Sequence, residues 1–212
     1  MRKVSRICLT CILLPAVSLP AVAKHAAKSV ENPGARITLC AFDFAGLPAG
    51  VLMESLKHTQ AILADAGVDI LPVICTQKGA PTLCREQAGP RNVILRIIRR
   101  SPPGVDLNAV ASATGPYITV DYSRLESLGD TFRDRILGCV VAHELGHVML
   151  GPDSHSPYGI MAARWTATEL DTIHWGLLWF LPSQAAFLRA YFVSQPQLAS
   201  DPMAVSIARI QK

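Results

Sequence analysis

The stretch from His143 to Met161, HELGHVMLGPDSHSPYGIM, constrains this chain more than any other part of it. Two histidines four residues apart on a helix share a face one turn apart, so their imidazoles can close on one metal ion. The glutamate between them then lies beside that ion without having to bind it. The fold must supply a helix through His147, a stop soon after it, and a return of the chain that brings further donors to the same face. Ile136, Val140, Val141, Leu145 and Val148 form the apolar stripe of a buried helix. Asp130 or Thr131 stands where its start needs a cap, and Gly151-Pro152 ends it. His155 follows in a turn rich in Ser, Pro and Gly. An accidental H-E-x-x-H would arise about once in two hundred chains of this composition, so this context decides between a metal site and ordinary histidines. His25, His58 and His174 lack such a context and read as surface or core residues.

The segment resembles the signature of the metzincin metallopeptidases, and among them the matrixin-like group. That signature is H-E-x-x-H-x-x-G-x-x-H, often followed by serine, and then by a tight turn with a methionine beneath the metal. His143, Glu144 and His147 match it directly; His155-Ser156 resembles the third ligand and its serine, and Gly159-Ile160-Met161 the methionine turn. The loop departs from the pattern, since glycine comes four residues after His147 instead of three and the third histidine eight instead of six. Asp153 therefore occupies the standard third-ligand offset, an exchange found in snapalysin-like relatives. Ser156 and Met161, which follow His155 as in matrixins, favour His155, with Asp153 as the alternative.

The resemblance implies a Zn2+ ion held by His143, His147 and His155, with Glu144 as the general base of a peptide hydrolase and Met161 packed below without binding. Its substrates would be peptides or proteins cut internally. A thermolysin-like ligand set would need a downstream glutamate, and Glu169 is the candidate; Thr166-x-x-Glu169 already reads as a capping box. A different class is an exported zinc-containing binding or scaffold protein without turnover, against which Glu144 argues, because a structural site has no use for it.

Residues 1–23 read as a cleaved signal peptide: Arg2, Lys3 and Arg6, an apolar run from Ile7 to Val22 broken by two prolines, and the small-residue signal Ala21-Val22-Ala23. The expectation is export to the periplasm or the extracellular space, with no stable membrane insertion. Removing three positive charges takes the net charge from +4 to +1, which argues against nucleic acid as a partner. Residues 24–34 read as a loose segment, 35–193 as one peptidase-like domain and 194–212 as a tail. Of the six cysteines, Cys40, Cys75, Cys84 and Cys139 would remain, and four allow three pairings. Cys75 and Cys84 flank a turn-rich loop and suit a local bridge. Cys139 shares a helical face with His143, but a three-ligand site keeps its fourth place for water, so Cys139 reads as a structural thiol.

Along the chain, strands are expected at Arg36–Phe44, Val68–Ile74, Asn92–Ile98, Asn108–Ala113 and Tyr117–Tyr122. Helices are expected from Leu47 to Ala66, through His143, from Thr168 to His174 and from Ser183 to Val193. This order gives an α+β fold with an α/β-like first part. The resemblance adds a twisted mixed sheet on two helices and makes Asn108–Ala113 the edge strand that receives substrate.

Overall fold

The computed structural model describes residues 36–48, 50–76, 79–99, 110–126 and 132–194. Its first strand, β1 (Arg36–Asp43), alternates Ile37, Leu39 and Ala41 toward one face with Thr38, Cys40 and Phe42 toward the other. The Asp43 carboxylate then accepts the N–H groups of Ala45, Gly46 and Leu47 at 3.0, 2.9 and 2.9 Å. This side-chain turn holds the chain out of helix until Val51, so α1 runs over Val51–Asp65 and starts later than its apolar spacing suggests. The strand β2 (Asp69–Ile74), a short 3-10 turn (Thr82–Arg85) and β3 (Asn92–Ile98) follow.

Next come β4 (Ala111–Thr114) and β5 (Tyr117–Asp121), then a single helical turn, α2 (Tyr122–Glu126). Asp121 seeds that turn by accepting from the Ser123 N–H at 3.1 Å and its hydroxyl at 2.6 Å, which is why β5 stops before Tyr122. The long α3 (Arg133–Leu150), α4 (Ala167–His174) and α5 (Pro182–Ser194) complete the chain.

The strands form one mixed sheet in the order β2-β1-β3-β5-β4, parallel except for β4, which pairs antiparallel with β5. One face carries the main core: Leu39, Leu95, Ile97, Ile118 and Val120 are fully buried against α1 and α3. The two helices approach closely at Gly138, where a Cβ would lie 2.8 Å from the Ser55 carbonyl oxygen. The buried Thr59 hydroxyl spans the same contact by donating to Gly138 O at 3.0 Å. On the other face Cys40, Val73 and Cys75 make a small second cluster, closed by the Cys75–Cys84 disulfide. Together these elements make the α+β fold that the order of periodic segments implies.

The edge strand ends later than expected. Its described part runs over Ala111–Thr114, one residue further than the expected Asn108–Ala113, because Gly115-Pro116 closes a tight turn that pairs Thr114 with Tyr117 and carries the ladder to the turn; Asn108 and Ala109 lie outside the described residues. The cap of α3 also differs: Phe132 holds the position with φ 62° and no side-chain cap, and Asp130 and Thr131 lie outside the described residues. So do the leader, the loose segment that follows it, and the tail beyond Ser194. Among the described residues no helix is long and apolar enough to cross a membrane.

Candidate metal centre

The last two turns of α3 carry His143 and His147, and the loop after Leu150 returns His155 to them. The His147 Nε2 lies 3.0 Å from the His143 Nε2 and 3.1 Å from the His155 Nε2. Their partners at the other ring nitrogens settle what these atoms are. His143 Nδ1 faces the Ile160 carbonyl at 2.7 Å, and a carbonyl only accepts, so Nδ1 carries the proton and Nε2 a lone pair. The Ser154 hydroxyl donates to Gly151 O at 2.7 Å and so accepts from His147 Nδ1 at 3.1 Å, which gives His147 the same tautomer.

Two lone pairs 3.0 Å apart repel each other unless a cation lies between them. The spacing is close to the edge of about 3.3 Å expected for a tetrahedron with zinc–nitrogen bonds of 2.0–2.1 Å. Burial keeps both rings neutral: it pushes His143 down to about 4, with the Ile160 bond opposing, and lowers His147 as well. Neutral imidazoles with inward lone pairs fit a zinc ion.

Glu144 is only 6% exposed, and burial alone pushes its carboxyl up to about 7. A carboxyl with a pKa near neutral is one that can both take and give a proton in ordinary buffers.

Below the histidines sits Met161, fully buried in its turn. A Cβ on Gly146 would run into the Met161 sulfur, so the glycine of HELGH is the space the thioether fills. The turn is held by Ser156 N–H to Met161 O at 2.8 Å and by Ile160 N–H to Trp179 O at 3.0 Å.

Of the expected site residues, the structure brings His143, His147 and His155 together, with Glu144 beside them in sequence and lining the same cleft. Asp153 is exposed and outside the cluster. Glu169 is taken up in the capping box with Thr166 that opens α4. Cys139 is buried against His58 Nε2 at 3.6 Å, its thiol pushed up to about 12 by burial, and it lies outside the histidine group. Sequence reasoning missed two supporting residues. Ser154 belongs to the lengthened loop, and only its position one residue before His155 hinted that it reaches back. Trp165 donates its Nε1–H to Ile160 O at 3.2 Å, so one carbonyl steadies both Trp165 and His143; a tryptophan four residues past Met161 gives no such signal by itself.

The cluster opens into a cleft of about 890 Å³. One wall is β4, the floor is α3, and another wall is the segment from Ala162 to Trp165. The Asp121 N–H bond to Val110 O, at 2.9 Å, sets the phase of the β4–β5 ladder. Val110, Ser112 and Thr114 thereby turn their main-chain groups toward β5, and Ala111 and Ala113 turn theirs away from it, to the side where no other described strand pairs.

No protein-family model matches the chain, and no curated protein does. Solved structures do. Archaemetzincin from Methanopyrus kandleri aligns with a TM-score of 0.52 at 16% identity, over 77% of this chain and 99% of that one. A zinc-dependent peptidase from Methanocorpusculum labreanum aligns with a TM-score of 0.50 at 16% identity, over 71% of this chain and 99% of that one. At that identity the likeness is one of fold: this chain has the fold of these zinc-peptidase structures.

Proposed function

We propose that this chain is a zinc-dependent endopeptidase of the metzincin type, acting on peptides or proteins outside the cytoplasm. The observation that carries the proposal is the convergence of three imidazole Nε2 atoms, two of them with fixed inward lone pairs, in a cleft that the largely buried Glu144 also lines. His143, His147 and His155 would hold the ion. Zinc, when bound, polarises a carbonyl and makes water acidic enough to attack it near neutral pH. Glu144 accepts the proton of the attacking water at a carboxylate oxygen and passes it to the departing amine. The amides and carbonyls of Ala111 and Ala113 that face away from β5 align an extended peptide by main-chain pairing, and their small side chains let it lie close to α3.

The matrixin-like part of the reading rests on His155-Ser156 and Met161, and the names of the two structural neighbours support a peptidase more broadly. Export through a cleaved leader to the periplasm or beyond is supported by residues 1–23 and by the Cys75–Cys84 disulfide, a bond that persists in oxidising compartments. The test is hydrolysis of an unstructured protein such as casein by the zinc-replete mature chain. Turnover that chelator abolishes and zinc restores is the expected result; stoichiometric zinc without turnover on casein or any peptide panel would make the protein a scaffold.

A further inference from the structure

The cleft has one strong chemical asymmetry, and it lies away from the histidines. Among the described residues lining it, Glu144 is the only carboxylic acid and Arg164 the only permanent cation. Glu144 is buried and, on the proposed reading, engaged in proton transfer. Arg164 is exposed in the cleft wall and makes no hydrogen bond or ion pair with another described residue. Surface arginines are commonly unpaired, so the position matters more than the absence.

Arg164 stands on a braced piece of chain. Ala162 N–H bonds Gly159 O at 3.1 Å, Trp165 is tied to Ile160 O at 3.2 Å, and Thr166 N–H bonds the Glu169 carboxylate at 2.8 Å. Its backbone is thus fixed on both sides, between the methionine turn and the start of α4. The rest of the lining offers no competing acid: β4 contributes Ala, Ser and Thr, and the helix face contributes Val140 and Val148. A guanidinium carried on this braced backbone presents a planar fork of N–H donors whose natural complement is a carboxylate.

We infer that Arg164 is a specificity residue that selects substrates presenting a carboxylate in the cleft, either an Asp or Glu side chain or a free C-terminus. The inference rests on the peptidase reading and deepens it. Arg164 touches the substrate away from the bond that breaks, so it acts on binding, and the preference appears in KM more than in kcat.

The test uses the full mature, zinc-replete chain and a neutral peptide it cleaves. Each position in turn is made Glu or Gln, and the C-terminus is made free acid or amide. The wild type should favour the acid roughly tenfold in kcat/KM at one position or at the terminus, the size of a charge-assisted contact in a partly wet site. Which arm shows the difference identifies the source of the carboxylate. In Arg164→Ala the acid-to-amide ratio should fall to about one, in Arg164→Lys it should fall partway, and in Arg164→Glu a Lys peptide should overtake its Gln counterpart. Because each ratio is taken within one variant, a general loss of rate does not blur it, and zinc content checks that the site is filled. If neutral peptides are cut in a chelator-sensitive way but the wild-type ratios are flat, or the ratio survives in Arg164→Ala, Arg164 is an ordinary solvated side chain and only this inference falls. If no peptide is cut at all, the peptidase reading fails and takes this one with it.

Discussion

The two sides of the cleft are built on different principles. The histidine side is a network of side chains: two imidazoles with their tautomers set by Ile160 O and Ser154, a glutamate buried beside them, and a methionine filling the space left by Gly146. The edge side is β4, four residues long with small side chains, and what it offers is main-chain N–H and C=O. The first kind of surface is specific about residue identity and tolerates little. The second is specific about register and indifferent to most side chains. The comparison teaches that one cleft can be exacting in chemistry on one side and exacting only in geometry on the other.

The sharpest way to break this contrast is to remove a ligand. His143→Ala or His147→Ala should abolish both zinc binding and turnover, and His155→Ala should release zinc while Asp153→Ala keeps it. Metal analysis of the four purified variants decides. Retention in His155→Ala with loss in Asp153→Ala would hand the third place to the aspartate.

Glu144→Gln comes next in size. It should keep zinc and lose about 10²–10⁴ in rate, the usual contribution of a general base. An unchanged rate with zinc in place would mean that another group moves the proton.

Gly146→Ala probes the packing below the histidines. The added methyl meets the Met161 sulfur, and overpacking of this kind costs about 1–3 kcal/mol. Denaturant unfolding should show that loss, together with weaker zinc retention against a chelator. Wild-type stability would mean that Met161 has room to move aside.

The smallest effect belongs to the edge. Ala113→Pro removes one outward N–H and leaves the pairings of Ser112 and Thr114 with β5, which edge strands tolerate. Turnover of long peptides should fall roughly tenfold, about the value of one main-chain hydrogen bond, with zinc content unchanged. Equal rates on long peptides would move the substrate groove elsewhere.

The same contrast explains what could be read from the chain alone. The helix through His143, its stop before Gly151 and the Thr166 capping box are encoded by side chains at fixed spacings, and each stands where those spacings put it. The edge strand was legible only coarsely, because Ala-Ser-Ala-Thr has weak strand preference and its place is set by the turn at Gly115-Pro116. The late start of α1 and the brief α2 turn on Asp43 and Asp121 accepting nearby N–H groups, a local competition that hydrophobic period does not report. Ser154 and Trp165 were invisible for another reason: each acts through a carbonyl whose position only the folded loop determines. The leftward turn at Phe132, with no side-chain cap, has no sequence signal in a bulky aromatic.

The disulfide has a practical consequence for handling the protein. Cys75 and Cys84 are nine positions apart, and both belong to the minor cluster on the sheet face that α1 and α3 do not cover. The bond is a local clasp: it ties neither α3 nor the loop bearing His155 to anything. A preparation made in a reducing bacterial cytoplasm should therefore assemble its histidines correctly, with a lower melting temperature as its only handicap. A reductant that does not bind zinc can then be kept in the buffer while the metal is stripped and replaced, and Cys40 and Cys139, both buried, are shielded from oxidation by the fold itself.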